Sequence, residues 1–289
     1  MIPLSALDIS WPGHVPRLVQ VLDAAGYLRF WATEHHSLHQ SASPVVTATL
    51  AAAMTGRIRI GTAGVLLNYA CPAKVAEDFR LLELYFPGRI DLGVAGARAT
   101  AEEDLYLDGR PPPTPASYAA RVRTLVELVR GAHAVAVGPR GTTTPPLWLC
   151  GTSRSSAELA GSLGMHYAFH RYIAGSSTAA RDAIAAYRDA FRATDSAAPY
   201  AMIACYGACA ESDDRAARQW RAADAGTACF TGSPISCVDQ LHGLADACDA
   251  DEIAVNLLGD GIDSRLAGYA MLGDAANLGC IAPAYAASA

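Results

Sequence analysis

Short apolar runs alternate with amphipathic helical patterns along this chain, and that alternation limits the fold more than any other feature. Ile2–Ile9 carries the alternation of a strand. Val15–Ala25 then sets Val15, Leu18, Val19, Leu22 and Ala25 on one helical stripe, which Gly26 closes. Leu28–Ala32 reads as a second strand, and Pro44–Met54, opened by Ser43, as a second helix. Ile58–Leu66 and Ile90–Val94 are strands on either side of a helix at Pro72–Tyr85, which Pro87-Gly88 ends. In the second half, strands are expected at Leu147–Cys150, Met165–Phe169, Tyr200–Cys209 and Ile253–Leu258. Helices are expected at Tyr118–Val129, Ser156–Leu163, Ala179–Phe191, Asp213–Ala223, Pro234–Ala247 and Ser264–Leu272. Leu107–Pro115, with prolines at 111, 112 and 113, reads as a stiff surface loop after the fourth strand. Gly138–Pro146 and Ala174–Thr178 read as further loops.

Strand–helix alternation implies a parallel sheet with right-handed crossovers, and about eight such units fit a closed (β/α)8 TIM barrel. The whole chain, 1–289, is expected to form one such domain. A doubly wound open sheet is the alternative, but it usually shows a glycine-rich fingerprint after its first strand. Here that strand runs into Ser10-Trp11-Pro12-Gly13-His14. With 52% hydrophobic and 17% charged residues the chain is apolar enough for a full core. Its net charge of −6, with no basic block, argues against nucleic-acid binding. No apolar run is long enough to span a membrane, and Met1-Ile2-Pro3-Leu4-Ser5 lacks the pattern of a signal peptide, so a cytoplasmic protein is expected. The 8 cysteines include no CxxC pair and read as reduced core thiols.

Reactive groups of a barrel gather where strands end at the C-terminal face. The second strand ends in Thr33-Glu34-His35-His36. A histidine there is a natural proton carrier, so His35 is a candidate acid or base with Glu34 or His36 orienting it. These are equally readable as polar loop residues. His35, His36 and His39 also invite a metal reading, but no HExxH pattern or nearby cysteine supports it. A second candidate is Gly151-Thr152-Ser153-Arg154-Ser155-Ser156, where a strand gives way to a helix. Free N–H groups, hydroxyls and a guanidinium suit a phosphate, although Ser and Thr are also ordinary helix caps.

The sequence resembles the bacterial luciferase-like flavin-dependent monooxygenases. The resemblance is carried by Gly26–His36, Arg57–Thr62, Pro72–Asp78, Pro87–Val94, Gly151–Ala160, Gly232-Ser233-Pro234 and Asp251-Glu252-Ile253, in the family's order over nearly the whole chain. It implies a (β/α)8 barrel that binds reduced FMN, or in some branches the deazaflavin F420, at its C-terminal face. In the FMN branch a C4a-peroxyflavin oxygenates the substrate. His35 matches the catalytic histidine, with Glu34 and His36 beside it. Ala63-Gly64 matches the segment after the third strand that lies under the flavin ring, often with a cis peptide bond, and Thr152–Ser156 the phosphate loop.

The chain also departs from that pattern. The arginine after the fourth strand is displaced to Arg98 in Gly93-Val94-Ala95-Gly96-Ala97-Arg98. The stretch between the helix at Asp213–Ala223 and Gly232 is short, which implies a shortened lid region. The resemblance therefore implies a two-component monooxygenase taking reduced FMN from a separate flavin reductase and acting as a homodimer on a small organic substrate. Alanine richness with arginine in place of lysine suggests a natural-product substrate. Tyr69, Tyr106, Trp148 and Phe169 could line its pocket or pack the core. Two alternatives stand beside this: an F420-dependent oxidoreductase, and a flavin-binding relative without catalysis.

Overall fold

The computed structural model describes residues 2–9, 12–36, 40–96, 111, 113–193, 198–223 and 228–280. Its strands are β1 (Leu4–Asp8), β2 (Arg29–Ala32), β3 (Arg59–Thr62), β4 (Val65–Leu66), β5 (Ile90–Ala95), β6 (Leu147–Gly151), β7 (His166–His170), β8 (Ala201–Cys209), β9 (Phe230–Gly232) and β10 (Glu252–Leu257). Its helices are α1 (Val15–Ala24), α2 (Pro44–Ala53), α3 (Pro72–Tyr85), α4 (Pro115–Arg130), α5 (Arg154–Ser162), α6 (Arg171–Ala174), α7 (Ser177–Ala190), α8 (Asp213–Ala223), α9 (Pro234–Cys248) and α10 (Ile262–Ala275).

Every strand pairing is parallel, and β10 pairs with both β8 and β1. The sheet therefore closes into an eight-membered barrel, with β3 and β4 sharing one position and β9 prolonging the edge of β8. Closure excludes the open-sheet alternative. The barrel interior holds Leu7, Trp31, Trp148, Ala168, Met202 and Ala254, while strand neighbours such as Ala6, Phe30, Tyr167 and Ile253 pack outward among the helices. This two-sided burial is why the strands read as continuous apolar runs.

The floor of the barrel is ionic. Arg29, Asp91, Glu252 and Ser5 are fully buried near the N-terminal ends of their strands. Arg29 pairs with Glu252 and, at 3.3 Å, with Asp91. Arg59 reaches Asp91 at 2.8 Å, and Trp148 Nε1 donates to it at 3.1 Å. Tyr200 Oη donates to Glu252 at 2.9 Å. Two guanidinium groups thus face two carboxylates, and a buried charge set is tolerable only when balanced in this way.

Several boundaries differ from the sequence reading, for local reasons. The third strand is not continuous: it breaks at Ala63-Gly64, a cis peptide, where Gly64 lies so close to β5 that a Cβ would meet the Val94 carbonyl carbon at 2.8 Å. Pro115 belongs to α4 rather than to the proline loop, because Thr114 and Ser117 form a reciprocal capping box that starts the helix there. Ala174–Thr178 is not all loop, since α6 ends at Ala174 and Ser176 caps α7. Only residues 224–229 separate α8 from β9, in keeping with a shortened lid region. Among the described residues no helix is long and apolar enough to cross a membrane.

Candidate functional site

The C-terminal ends of β2, β3, β6 and β7 meet at one mouth of the barrel. After β2, the Thr33 hydroxyl donates to the Asp8 carbonyl at 2.9 Å and fixes the start of the loop. Glu34 then turns toward His36, whose Nε2 lies 2.9 Å from Oε1, and accepts the Leu66 N–H at 2.9 Å. The carboxylate therefore orients His36 rather than His35, which departs from one of the two expected arrangements. His35 is held by its backbone, whose N–H donates to Ser41 at 2.9 Å. Its Nδ1 is buried with no hydrogen-bond partner among the described residues. Burial, then the neighbouring His36, lowers its pKa below the usual histidine value. His35 is thus a neutral imidazole at pH 7, with a ring nitrogen to spare.

Across the mouth stands a residue that sequence reasoning missed. His170 ends β7, and burial followed by the nearby His35 lowers its pKa to about 4. Tyr172 Oη lies 3.1 Å from its Nδ1, while its Nε2 is buried without a partner among the described residues. The signal was present in the strand: positions 166, 168 and 170 share one face, and Ala168 points into the barrel.

The run Gly151–Ser156 joins β6 to α5. Ser153 caps the helix by accepting the Ser156 N–H at 3.2 Å, and Ser156 Oγ in turn accepts the Ser153 N–H at 3.3 Å. The first-turn N–H groups of Arg154 and Ser155 are those a helix leaves without internal partners. Gly151 makes room for this turn, since a Cβ there would meet Ser156 Oγ at 2.3 Å. Arg154 is an exposed side chain paired with Glu158 at 2.7 Å. Such a surface pair is weak and yields readily to a stronger anion. Arg98 and His39, and with them Tyr106, lie outside the described residues.

A cavity of about 1000 Å³ runs from this loop toward the barrel mouth. Its walls include Gly151–Ser156, Arg123, Arg192, Asn68, Tyr118 and His170. Three of the wall atoms are buried yet unpartnered among the described residues: Asn68 Oδ1, Tyr118 Oη and His170 Nε2. Asn68 spends its amide N–H on the Gly96 carbonyl at 3.2 Å, which fixes the direction of the free oxygen. Buried polar atoms in native proteins are normally satisfied, so three unpartnered ones lining one cavity mark where a polar ligand fits. Neither Asn68 nor Tyr118 was singled out from sequence, because each stands within an otherwise ordinary loop or helix pattern. Trp148 and Phe169 are core residues, packed in the barrel interior and behind the sheet respectively.

The sequence model of the luciferase-like monooxygenases matches residues 10–247. The chain belongs to that family. Relatives include an uncharacterized protein, YwcH, of Bacillus subtilis, 34% identical over 69% of this chain and 62% of that protein. The N-acetyl-S-alkylcysteine monooxygenase of the same organism is 32% identical over 65% of this chain and 62% of that protein. The chain thus spans under two thirds of the length of these two relatives. The crystal structure of apo-MsnO8 superposes with a TM-score of 0.85 at 30% identity, covering 96% of this chain and 99% of that one. The fold alone is shared with two others. One is the oxygenating constituent of 3,6-diketocamphane monooxygenase from Pseudomonas putida, solved with FMN (TM-score 0.75, 14% identity, 94% of this chain and 97% of that one). The other is an F420-dependent secondary alcohol dehydrogenase (TM-score 0.76, 15% identity, 96% and 98%).

Proposed function

We propose that this luciferase-like chain is a two-component FMN-dependent monooxygenase that oxygenates a small organic substrate. The observation that carries this reading is the continuity of one cavity from the Gly151–Ser156 turn to the unpartnered atoms of Asn68, Tyr118 and His170. A flavin mononucleotide has a matching division: a phosphate at one end, and a flat ring with several hydrogen-bonding edges at the other. The N–H groups and hydroxyls of Thr152, Ser153, Ser155 and Ser156, with Arg154, would hold the phosphate. Arg123 and Arg192 line the same cavity, and Arg98 is the further phosphate-end residue that the resemblance implies. Ala63 and Gly64 would lie under the ring. Bound reduced FMN supplies two electrons to dioxygen, so that one oxygen atom enters the substrate and the other leaves as water.

The protein's own part is to position, dry and protonate. His35, with Glu34 and His36 beside it, is the group assigned to proton transfer. Its lowered pKa keeps it able to accept a proton at Nδ1. His170 offers a second uncharged ring whose Nε2 can hold a ligand atom. The chain shows no dinucleotide fingerprint after β1, so a flavin reductase is the expected source of reduced FMN. The domain is taken as 1–289 and the location as cytoplasmic. A homodimer is favoured by an exposed apolar face on two packed helices: Val46 and Leu50 on α2, and Leu81, Leu84 and Tyr85 on α3.

The test is a titration without oxygen, using photoreduced FMN and separately reduced F420, followed by oxygen. Tight binding of reduced FMN, and a flavin that reoxidises through a protein-bound species absent from free FMN, supports the reading. Preference for F420 moves the protein to hydride transfer. Binding of neither contradicts a flavin site in this chain.

A further inference from the structure

The chain carries a second reactive centre behind the barrel wall, at the junction of β8, β9 and α6. Cys229 precedes β9, and its N–H donates to the Tyr206 carbonyl at 2.9 Å, placing it beside Cys205 on the adjoining strand. Arg171 Nη1 donates to the Cys229 sulfur at 2.5 Å, and the Cys205 side chain interacts with it from the adjoining strand. Arg171 is itself anchored, its Nε donating to Ser177 Oγ at 3.1 Å. Cys229 is of intermediate burial, whereas Cys205 is buried. The interaction with Cys205, helped by the Arg171 guanidinium, lowers the Cys229 pKa below the usual thiol range. A thiolate held by a cation next to a second thiol is the arrangement of a redox-sensitive cysteine with its resolving partner.

The other close thiol pair gives the contrast. Cys237 interacts with Cys209, donates to the carbonyls of Gly232 (3.4 Å) and Ala208 (3.6 Å), and has no cation beside it among the described residues. The interaction with Cys209, then burial, pushes that thiol far up, and it stays protonated. The same fold thus builds one inert pair and one activated pair.

We infer that Cys229 is a peroxide-oxidised cysteine and Cys205 its resolving thiol, closing a disulfide that releases Arg171. In the first step the Cys229 thiolate attacks hydrogen peroxide. The O–O bond breaks, Cys229 becomes a sulfenic acid and hydroxide leaves. In the second, the Cys205 sulfur attacks the sulfenic sulfur, the S–S bond forms and the hydroxyl departs with the Cys205 proton as water. Two thiols and one peroxide give one disulfide and two waters. A flavin monooxygenase releases hydrogen peroxide when oxygen is consumed without substrate, which would make the switch a response to uncoupling. That last link alone rests on the proposed activity, because the test adds peroxide directly.

The experiment follows alkylation of the intact protein by iodoacetamide across pH, with each cysteine read by peptide mass spectrometry. The Cys229 rate should rise with a midpoint at least about one pH unit below that of a free thiol. The rate of N-acetylcysteine, measured alongside, should keep rising to about pH 8.5. Arg171→Met should shift the Cys229 midpoint upward by about one pH unit or more. After hydrogen peroxide, a Cys205–Cys229 cross-linked peptide should appear in the wild type, and Cys205→Ser should instead accumulate dimedone-labelled Cys229. A wild-type midpoint above about 7.5 would overturn the proposal. So would oxidation of exposed Cys71 ahead of Cys229, or oxidised Cys229 that never cross-links to Cys205.

Discussion

Tyr172 Oη stands 3.1 Å from Nδ1 of His170, and the two rings stack with centroids 5.3 Å apart. Burial raises the Tyr172 phenol well above its usual pKa, so the hydroxyl is a neutral donor. With Tyr172 as the donor to Nδ1, the proton of the uncharged imidazole sits on Nε2. Nε2 is the atom without a partner among the described residues. Tyr206 backs the arrangement, stacked on Tyr172 at 4.3 Å and 8°. A tyrosine just past β7 thereby fixes which hydrogen-bonding face His170 turns to a ligand.

Tyr172→Phe should accordingly leave the fold intact and weaken reduced-FMN binding by about 3- to 10-fold, the size of one net hydrogen bond. Titration without oxygen reads the affinity, and a melting curve checks the fold. A folded variant with unchanged affinity would separate His170 from the flavin.

His35→Ala should lower substrate turnover by about 10²- to 10⁴-fold, the usual effect of removing a general acid or base, with flavin affinity changed far less. Because burial and His36 lower its pKa, the wild-type rate should hold at neutral pH and fall on acidification as the imidazole takes a proton. An unchanged rate in His35→Ala would remove this residue from the mechanism.

Acid should also destabilise the fold through buried histidines. Burial, then the Arg29 charge, lowers the His166 pKa to about 4, while an unfolded histidine titrates near 6.5. Between those values the unfolded chain binds the proton and the folded chain does not, so stability falls as pH falls. One such group contributes a slope of up to about 1.4 kcal/mol per pH unit in that window and nothing above it. His166→Phe, which keeps a ring against Trp148 and Tyr200, should remove roughly that slope in urea unfolding at pH 7, 6 and 5. A variant with the wild-type slope would contradict this account.

The barrel was legible because parallel strands are buried on both faces and their crossovers are amphipathic, so periodicity and breakers located nearly every unit. The interruption at Ala63-Gly64 was not legible in the pattern, since Ile58–Leu66 reads as one branched run; it was anticipated only through the resemblance, which implied a segment after the third strand with a cis peptide there, as found. Strand β9 spans only Phe230–Gly232, and α6 only Arg171–Ala174; segments that short leave no period to detect. In the site, Gly151–Ser156 announced itself through cap chemistry, and Glu34-His35-His36 through its place at a strand end. Asn68, Tyr118 and His170 did not, because their shared trait is an unpartnered atom lining one cavity, which arises only when distant segments meet.

The apolar stripe on α2 and α3 leads to a prediction about assembly. The wild type should sediment as a dimer at micromolar concentration, and Leu50→Asp combined with Leu84→Asp should give a folded monomer. A wild-type monomer at that concentration would contradict the homodimer.

The central claim is that the cavity receives a phosphate-bearing flavin with its phosphate on the Gly151–Ser156 turn. Titrating the protein without oxygen with reduced FMN and with reduced riboflavin tests this most directly, since the two ligands differ only in the phosphate. Reduced FMN should bind at least about tenfold more tightly, and Arg154→Ala should remove most of that advantage while leaving riboflavin binding unchanged. Equal affinity for the two ligands, or equal weakening of both by Arg154→Ala, would contradict the assignment.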